Sequence, residues 1–159
     1  LDLGSSPGGW TQVAARKITK GRILAVDIKP MEKVENADFL RGDLLNSEIY
    51  EKIRNYFDKK VNVVISDIAA DTSGNSNLDS YRTGELCLRA MDLAQKILHK
   101  DGVFLSKLFM GSIFLEINRK ANQCFNKVVK YKPLSSKKES KELYIYCKGI
   151  SRPFNFSPV

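Results

Sequence analysis

The chain has 159 residues, 43% of them hydrophobic and 28% charged, a composition that fits one ordinary globular domain. Its apolar runs fall far short of the roughly 20 residues of a membrane span, and its three cysteines, Cys87, Cys124 and Cys147, form no CxxC pair; a membrane partner, a zinc site and a disulfide framework are therefore not expected. The net charge of +8 is uneven, with 15 basic and 15 acidic side chains in residues 1–106 against 11 and 3 in residues 107–159.

The chain opens on Leu1-Asp-Leu-Gly-Ser-Ser-Pro-Gly-Gly-Trp10. This reads as the end of a buried strand, a tight glycine turn and the start of a helix over 9–17. A chain that opens inside a strand is expected to be preceded by further residues in the full protein. Gly4, Gly8 and Gly9 lack Cβ atoms, so backbone amides can come close to a ligand. The following helix points its positive dipole end at the turn. In an α/β chain this is the place of a nucleotide-type cofactor, at the carboxyl end of the first strand. An ordinary glycine-rich turn is the plainer alternative.

Residues 22–27 form a second strand ending in Asp27. A carboxylate there suits hydrogen bonds from both hydroxyls of a ribose, or it is a surface turn residue. Residues 37–43 predict a third short strand ending in Gly42-Asp43, and Asn46 or Ser47 caps a helix reaching about Phe57. The fourth strand, 61–67, ends in Asp67. Residues 68–79 are small and polar, a loop over the ligand face. A helix is predicted over 80–100 with Leu86, Ala90, Leu93, Ala94 and Ile97 on one stripe, and the lone His99 reads as a surface cap at its end. The fifth strand, 103–109, is apolar except for Lys107. An unpaired ammonium in a central strand is expensive, so Lys107 either snorkels from the strand end or meets a carboxylate at a working site.

The last third predicts a helix over 112–124, strands over 125–131 and 142–147, and a basic, serine-rich loop over 132–141 between them. Segregated positive charge is the footprint of a polyanion partner; a solvated basic tail is the alternative. Lysine outnumbers arginine 18 to 8, which favours phosphate attraction over bidentate base reading. The element order gives an α/β fold, a mainly parallel sheet flanked by helices with one antiparallel strand in its closing pair. Its rim collects the glycine turn, Asp27, Asp67 and Lys107.

These residues resemble the FtsJ/RrmJ family of ribose 2′-O-methyltransferases. The likeness rests on the opening glycine motif, Val26-Asp27, Phe39-Leu-Arg-Gly-Asp43, Ser66-Asp67-Ile-Ala, Ser73-Gly74 and Lys107-Leu-Phe-Met-Gly111. It continues with Lys132-Pro-Leu-Ser-Ser136 leading to Ser140-Lys-Glu-Leu-Tyr144. The resemblance implies a Rossmann-like class I methyltransferase fold with a seven-stranded sheet, a methyltransferase domain over 1–150 and a tail over 151–159. It implies S-adenosylmethionine as cofactor, held by Gly8, Trp10, Asp27, Asp43 and Asp67. Lys107, Asp67 and Glu142 match three members of a catalytic Lys-Asp-Lys-Glu tetrad, whose first lysine and preceding helix belong upstream of Leu1. Ala70-Asp71 departs from the family's usual Pro-Asn. The implied substrate is a uridine ribose in the A-loop of large-subunit ribosomal RNA, with basic residues of 107–148 on its phosphates. No metal is required. A monomer in the bacterial cytoplasm is expected, with the mitochondrial matrix as alternative. The rival readings are a tRNA ribose methyltransferase and a non-catalytic RNA-binding ribosome-assembly domain. A nicotinamide dehydrogenase is disfavoured, because Gly4-Ser-Ser-Pro-Gly-Gly does not follow GxGxxG.

Overall fold

A computed structural model describes residues 1–134, 136–137 and 139–151. The chain alternates strands and helices: β1 (Asp2–Leu3), α1 (Gly9–Lys17), β2 (Leu24–Asp27), β3 (Asp38–Arg41), α2 (Ser47–Tyr56) and β4 (Val61–Ser66). It continues with α3 (Ser76–Ile97), β5 (Leu98–Phe109), α4 (Phe114–Cys124), β6 (Phe125–Tyr131) and β7 (Glu142–Ile150). The seven strands form one sheet in the order β3-β2-β1-β4-β5-β7-β6. Strands β1 to β5 are parallel, and β7 runs antiparallel to both β5 and β6. This is the α/β Rossmann-like sheet expected from the sequence. Strand order reverses at β1, which pairs with β2 on one side and β4 on the other. A ligand crevice opens at such a reversal, outside the carboxyl ends of the strands.

Right-handed crossovers put α1 on one face of the sheet and α2, α3 and α4 on the other. The three-helix face is dry. Phe104, Leu108, Leu143, Ile145 and Cys147 are each no more than 8% exposed. They meet buried residues spaced one turn apart on the helices: Ile49 and Ile53, Cys87, Met91 and Ala94, Ile117 and Ala121. On the opposite face of β5 and β7, Val103, Leu105, Tyr144 and Tyr146 are only half-buried. Cys87 and Cys147 are buried free thiols and Cys124 a half-buried one.

Boundaries of α1 and β6 fall where the sequence puts them. The third helix does not. It starts at Ser76, because the Asn75 side chain accepts from the Asn77 and Leu78 amides and caps it early. It ends at Ile97, because Leu98 turns extended and already pairs with Val61, the register then shifting before Val63 pairs with Val103. His99 consequently lies on a strand rather than at a helix end. The tail expected over 151–159 falls outside the described residues from 152 onward.

Candidate active site

The glycine turn is built by close approach. Gly4 has φ +71°, and a Cβ there would lie 2.8 Å from the Ile68 amide nitrogen. Only glycine satisfies both conditions. The Gly4 amide donates to the Val26 carbonyl at 2.9 Å. Gly8, at φ +117°, is the N-cap of α1. Beneath the turn, Asp2 is 1% exposed and accepts from the Thr11 hydroxyl at 2.6 Å. Burial pushes its carboxyl up to about 6, against the pull of that hydrogen bond.

Asp27 ties the turn to the end of β2. Its two oxygens accept from the Ser6 amide at 2.9 Å and the Lys29 amide at 2.8 Å. Asp43 accepts from the Leu45 amide at 2.9 Å, closing an Asx turn. The Asp67 amide donates to the Leu3 carbonyl at 3.0 Å, which pins the end of β4 beside β1. Between these strand ends lies a cleft of about 350 Å³. Asp27, Asp43 and Asp67 reach it from three strands, and Val26, Leu44, Ile68 and Leu86 give it apolar walls. That volume and mixture suit a small organic ligand with a few polar anchors. Lys29 and Asp71 face each other at its mouth, 3.4 Å apart and well exposed, so their attraction is screened by water. A larger groove of about 770 Å³ runs between α2 and α3. It meets the cleft at Leu44 and Leu45 but holds none of the expected site residues.

Lys107 meets a carboxylate, as one of its two sequence readings required. Its Nζ lies 2.9 Å from Asp67 Oδ1 and 3.8 Å from Glu142 Oε2, with its side chain 15% exposed. Sheet register brings the three together: Ser66 pairs with Ser106, Lys107 with Tyr144 and Phe109 with Glu142. Tyr144 adds a fourth group. Its hydroxyl donates to Asp67 Oδ1 at 3.2 Å, and its ring packs on Trp10 with centroids 5.6 Å apart. Burial and the adjacent Asp67 and Glu142 charges hold the phenol proton firmly, well above the usual tyrosine range. One ammonium between two carboxylates leaves the cluster one negative charge in excess. Such a cluster can orient a hydroxyl at the lip of the cleft and take up its proton.

The structure thus gathers Asp27, Asp43 and Asp67 around the cleft, and Lys107 and Glu142 around Asp67. Gly8 and Trp10 do not line the cleft; they stand beside it, Gly8 at the helix start and Trp10 against Tyr144. Tyr144 and Leu86 were missed as site residues. Leu86 reads as part of an ordinary core stripe until the helix is seen to pass under the cleft. Of the basic residues of 107–148 expected to contact phosphates, three have polar partners within the protein. Lys107 is held by acids, Lys120 pairs with Asp92, and Lys132 donates to the Ser140 and Glu142 carbonyls. Among the described residues, no group of three or more His, Cys, Asp or Glu is placed to hold a metal ion, and no helix is long and apolar enough to cross a membrane.

Residues 1–150 match the family of FtsJ-like methyltransferases. The ribosomal RNA large subunit methyltransferase E of Pelagibacter ubique is 45% identical over 148 residues, which cover 93% of this chain and 73% of that protein. Its namesake from Acinetobacter baylyi is 39% identical over 151 residues, 94% of this chain and 70% of that one. Among solved structures, a protein assigned as a ribosomal RNA methyltransferase from Plasmodium falciparum superposes with a TM-score of 0.82 at 26% identity, covering 94% of this chain and 84% of its own. Human methyltransferase-like protein 13, solved with SAH, shares the fold at a TM-score of 0.66 and 15% identity, over 99% of this chain and 74% of its own.

Proposed function

The chain belongs to the FtsJ-like methyltransferase family, and from that premise we propose that it methylates a ribose 2′-oxygen of large-subunit ribosomal RNA, at a uridine of the A-loop, using S-adenosylmethionine. The observation that carries this reading is Lys107 Nζ at 2.9 Å from Asp67, on adjacent strand tips at the lip of the cleft. Residues 1–150 would form the methyltransferase domain, acting in the bacterial cytoplasm.

The cleft fits the cofactor. Its apolar walls suit a purine, Asp43 on the cleft wall would meet the base edge, and the Asp27 carboxylate keeps lone pairs for ribose hydroxyls. Gly8 and Trp10, beside the cleft rather than on its wall, would border the methionine end, where the N-terminus of α1 favours a carboxylate. S-adenosylmethionine supplies an electrophilic methyl group, so the protein's own task is positioning and proton handling.

A ribose hydroxyl is a weak nucleophile until its proton is taken or strongly polarised. Lys107 contacts the 2′-oxygen, and Asp67 and Glu142 hold the lysine in place. When the 2′-oxygen accepts the methyl group that bound S-adenosylmethionine would supply, the hydroxyl proton would pass to a carboxylate of the cluster, Asp67 or Glu142. Tyr144 spends its hydroxyl on Asp67 and fixes that carboxylate.

The test is radiolabelled methyl transfer from S-adenosylmethionine by the full-length protein to unmethylated large subunits, free ribosomal RNA and bulk tRNA, with mapping of the product. Label on a uridine 2′-oxygen of the subunit is expected. Label confined to tRNA would overturn the substrate, and no transfer to any acceptor with the cofactor bound would move the protein to the non-catalytic assembly role.

A further inference from the structure

Strand pairing lays three rows of side chains across β5, β7 and β6 on the face that bears the lysine–carboxylate cluster. The first is Lys107, Tyr144 and Tyr131; the second is Leu105, Tyr146 and Val129; the third is Val103, Lys148 and Lys127. Directly paired residues share a face of the sheet. Two features of this face stand without side-chain partners among the described residues. Tyr131 is 55% exposed, and among the described residues neither its ring nor its hydroxyl has a partner. Lys127 and Lys148 are directly opposed and exposed, and no described carboxylate pairs with either. Like charges opposed across strands repel. A bound anion would turn that repulsion into attraction.

We propose that this face binds the single-stranded RNA flanking the target ribose, with an unpaired base stacked on Tyr131 and a backbone phosphate between Lys127 and Lys148. The proposal rests on the reading of Lys107 as the point of methyl transfer. Geometry supports one strand meeting all three places. Tyr131 sits two strand spacings, about 10 Å, from the Lys107 strand, and Lys127 lies four residues further along β6, about 13 Å away. Stacking on an exposed aromatic needs a base splayed out of a duplex and tolerates any base. Charge also commits the face to a polyanion: the excess of basic side chains belongs to residues 107–159, and these two lysines are not consumed by internal bonds as Lys107, Lys120 and Lys132 are.

The experiment measures binding of a fluorescent single-stranded oligoribonucleotide of the target sequence to the full-length protein across a salt series, alongside methyl-transfer kinetics. Tyr131→Ala is expected to raise the RNA Kd and KM roughly tenfold, with kcat and cofactor affinity unchanged, and Tyr131→Trp to restore both. Lys127→Ala and Lys148→Ala should each flatten the slope of log Kd against log salt by about 0.7. Unchanged Kd and salt slope in these variants, or failure of Tyr131→Trp to restore binding, would overturn the proposal. The two readings fail separately. Normal transfer with an unaltered KM in Tyr131→Ala removes this face and leaves the function. RNA binding lost in Tyr131→Ala, in a protein that methylates no acceptor, removes the function and leaves the face.

Discussion

On the β3-β2-β1 side of the sheet the site is a narrow cleft; on the β5-β7-β6 side it is an open face. The cleft is made of backbone. Its turn is held by Gly4 against Ile68 and by the Asp27 carboxylate on two amides, and its charged groups are acids apart from Lys29 at the mouth. The open face is made of side chains, with Lys107, Tyr144 and Tyr131 in one row and lysines beyond. Charge divides the same way, the basic excess lying wholly in residues 107–159. The difference follows from the partners. A small cofactor is recognised by enclosure and a few fixed hydrogen bonds, whereas a polyanion needs area and cations. Asp67 is the seam, since it lines the cleft and also pairs with Lys107.

Substitutions on either side sharpen or break that division. The largest effect is expected from Lys107→Ala, which should lower the methyl-transfer rate by about 100-fold or more while S-adenosylhomocysteine still binds by calorimetry. A parallel loss of cofactor affinity would erase the seam. Gly4→Ala should act on the opposite side. With φ at +71° and a Cβ forced 2.8 Å from the Ile68 amide nitrogen, it should cost roughly 1–3 kcal/mol in urea unfolding. It should also weaken cofactor binding without changing the RNA Kd measured in the absence of cofactor. Tyr144→Phe removes one hydrogen bond to Asp67 and keeps the ring on Trp10. A roughly fivefold fall in kcat is expected, with both ligand affinities intact.

The smallest effect on the reaction should come from Asp2→Asn, which reports on the floor of the cleft. Burial raises the folded-state pKa of Asp2 from 3.8 to about 6. The native state therefore holds a proton that the unfolded chain releases, and this favours folding at low pH. That contribution is full below 3.8 and is lost as pH rises to about 6. Asp2→Asn should flatten this part of the stability–pH curve in urea titrations, leaving the pH profile of transfer above it unchanged.

The cleft was more legible in the sequence than the open face. A glycine turn and short apolar strands ending in acids are local signals, and they led to Gly4, Asp27 and Asp67; on the open face, Lys107 gave one by standing in an apolar strand. The bond from Tyr144 to Asp67 spans 77 residues and depends on the register of an antiparallel strand, which no local pattern carries. Leu86 looked like core because a helical stripe does not reveal which of its turns passes a cleft. The early start of α3 turned on one Asn75 cap inside a polar loop, and its early end on Leu98 joining β5. The donation of Lys132 to the Ser140 and Glu142 carbonyls depends on how the loop folds back, which composition does not carry.

The most direct test is the single-turnover rate of methyl transfer by Lys107→Ala with S-adenosylmethionine and ribosomal RNA both saturating. With both partners bound, a rate lower by about 100-fold or more is expected, because Lys107 acts in the chemical step. A rate equal to that of the unaltered protein would contradict it, because Lys107 would then have no part in the chemical step.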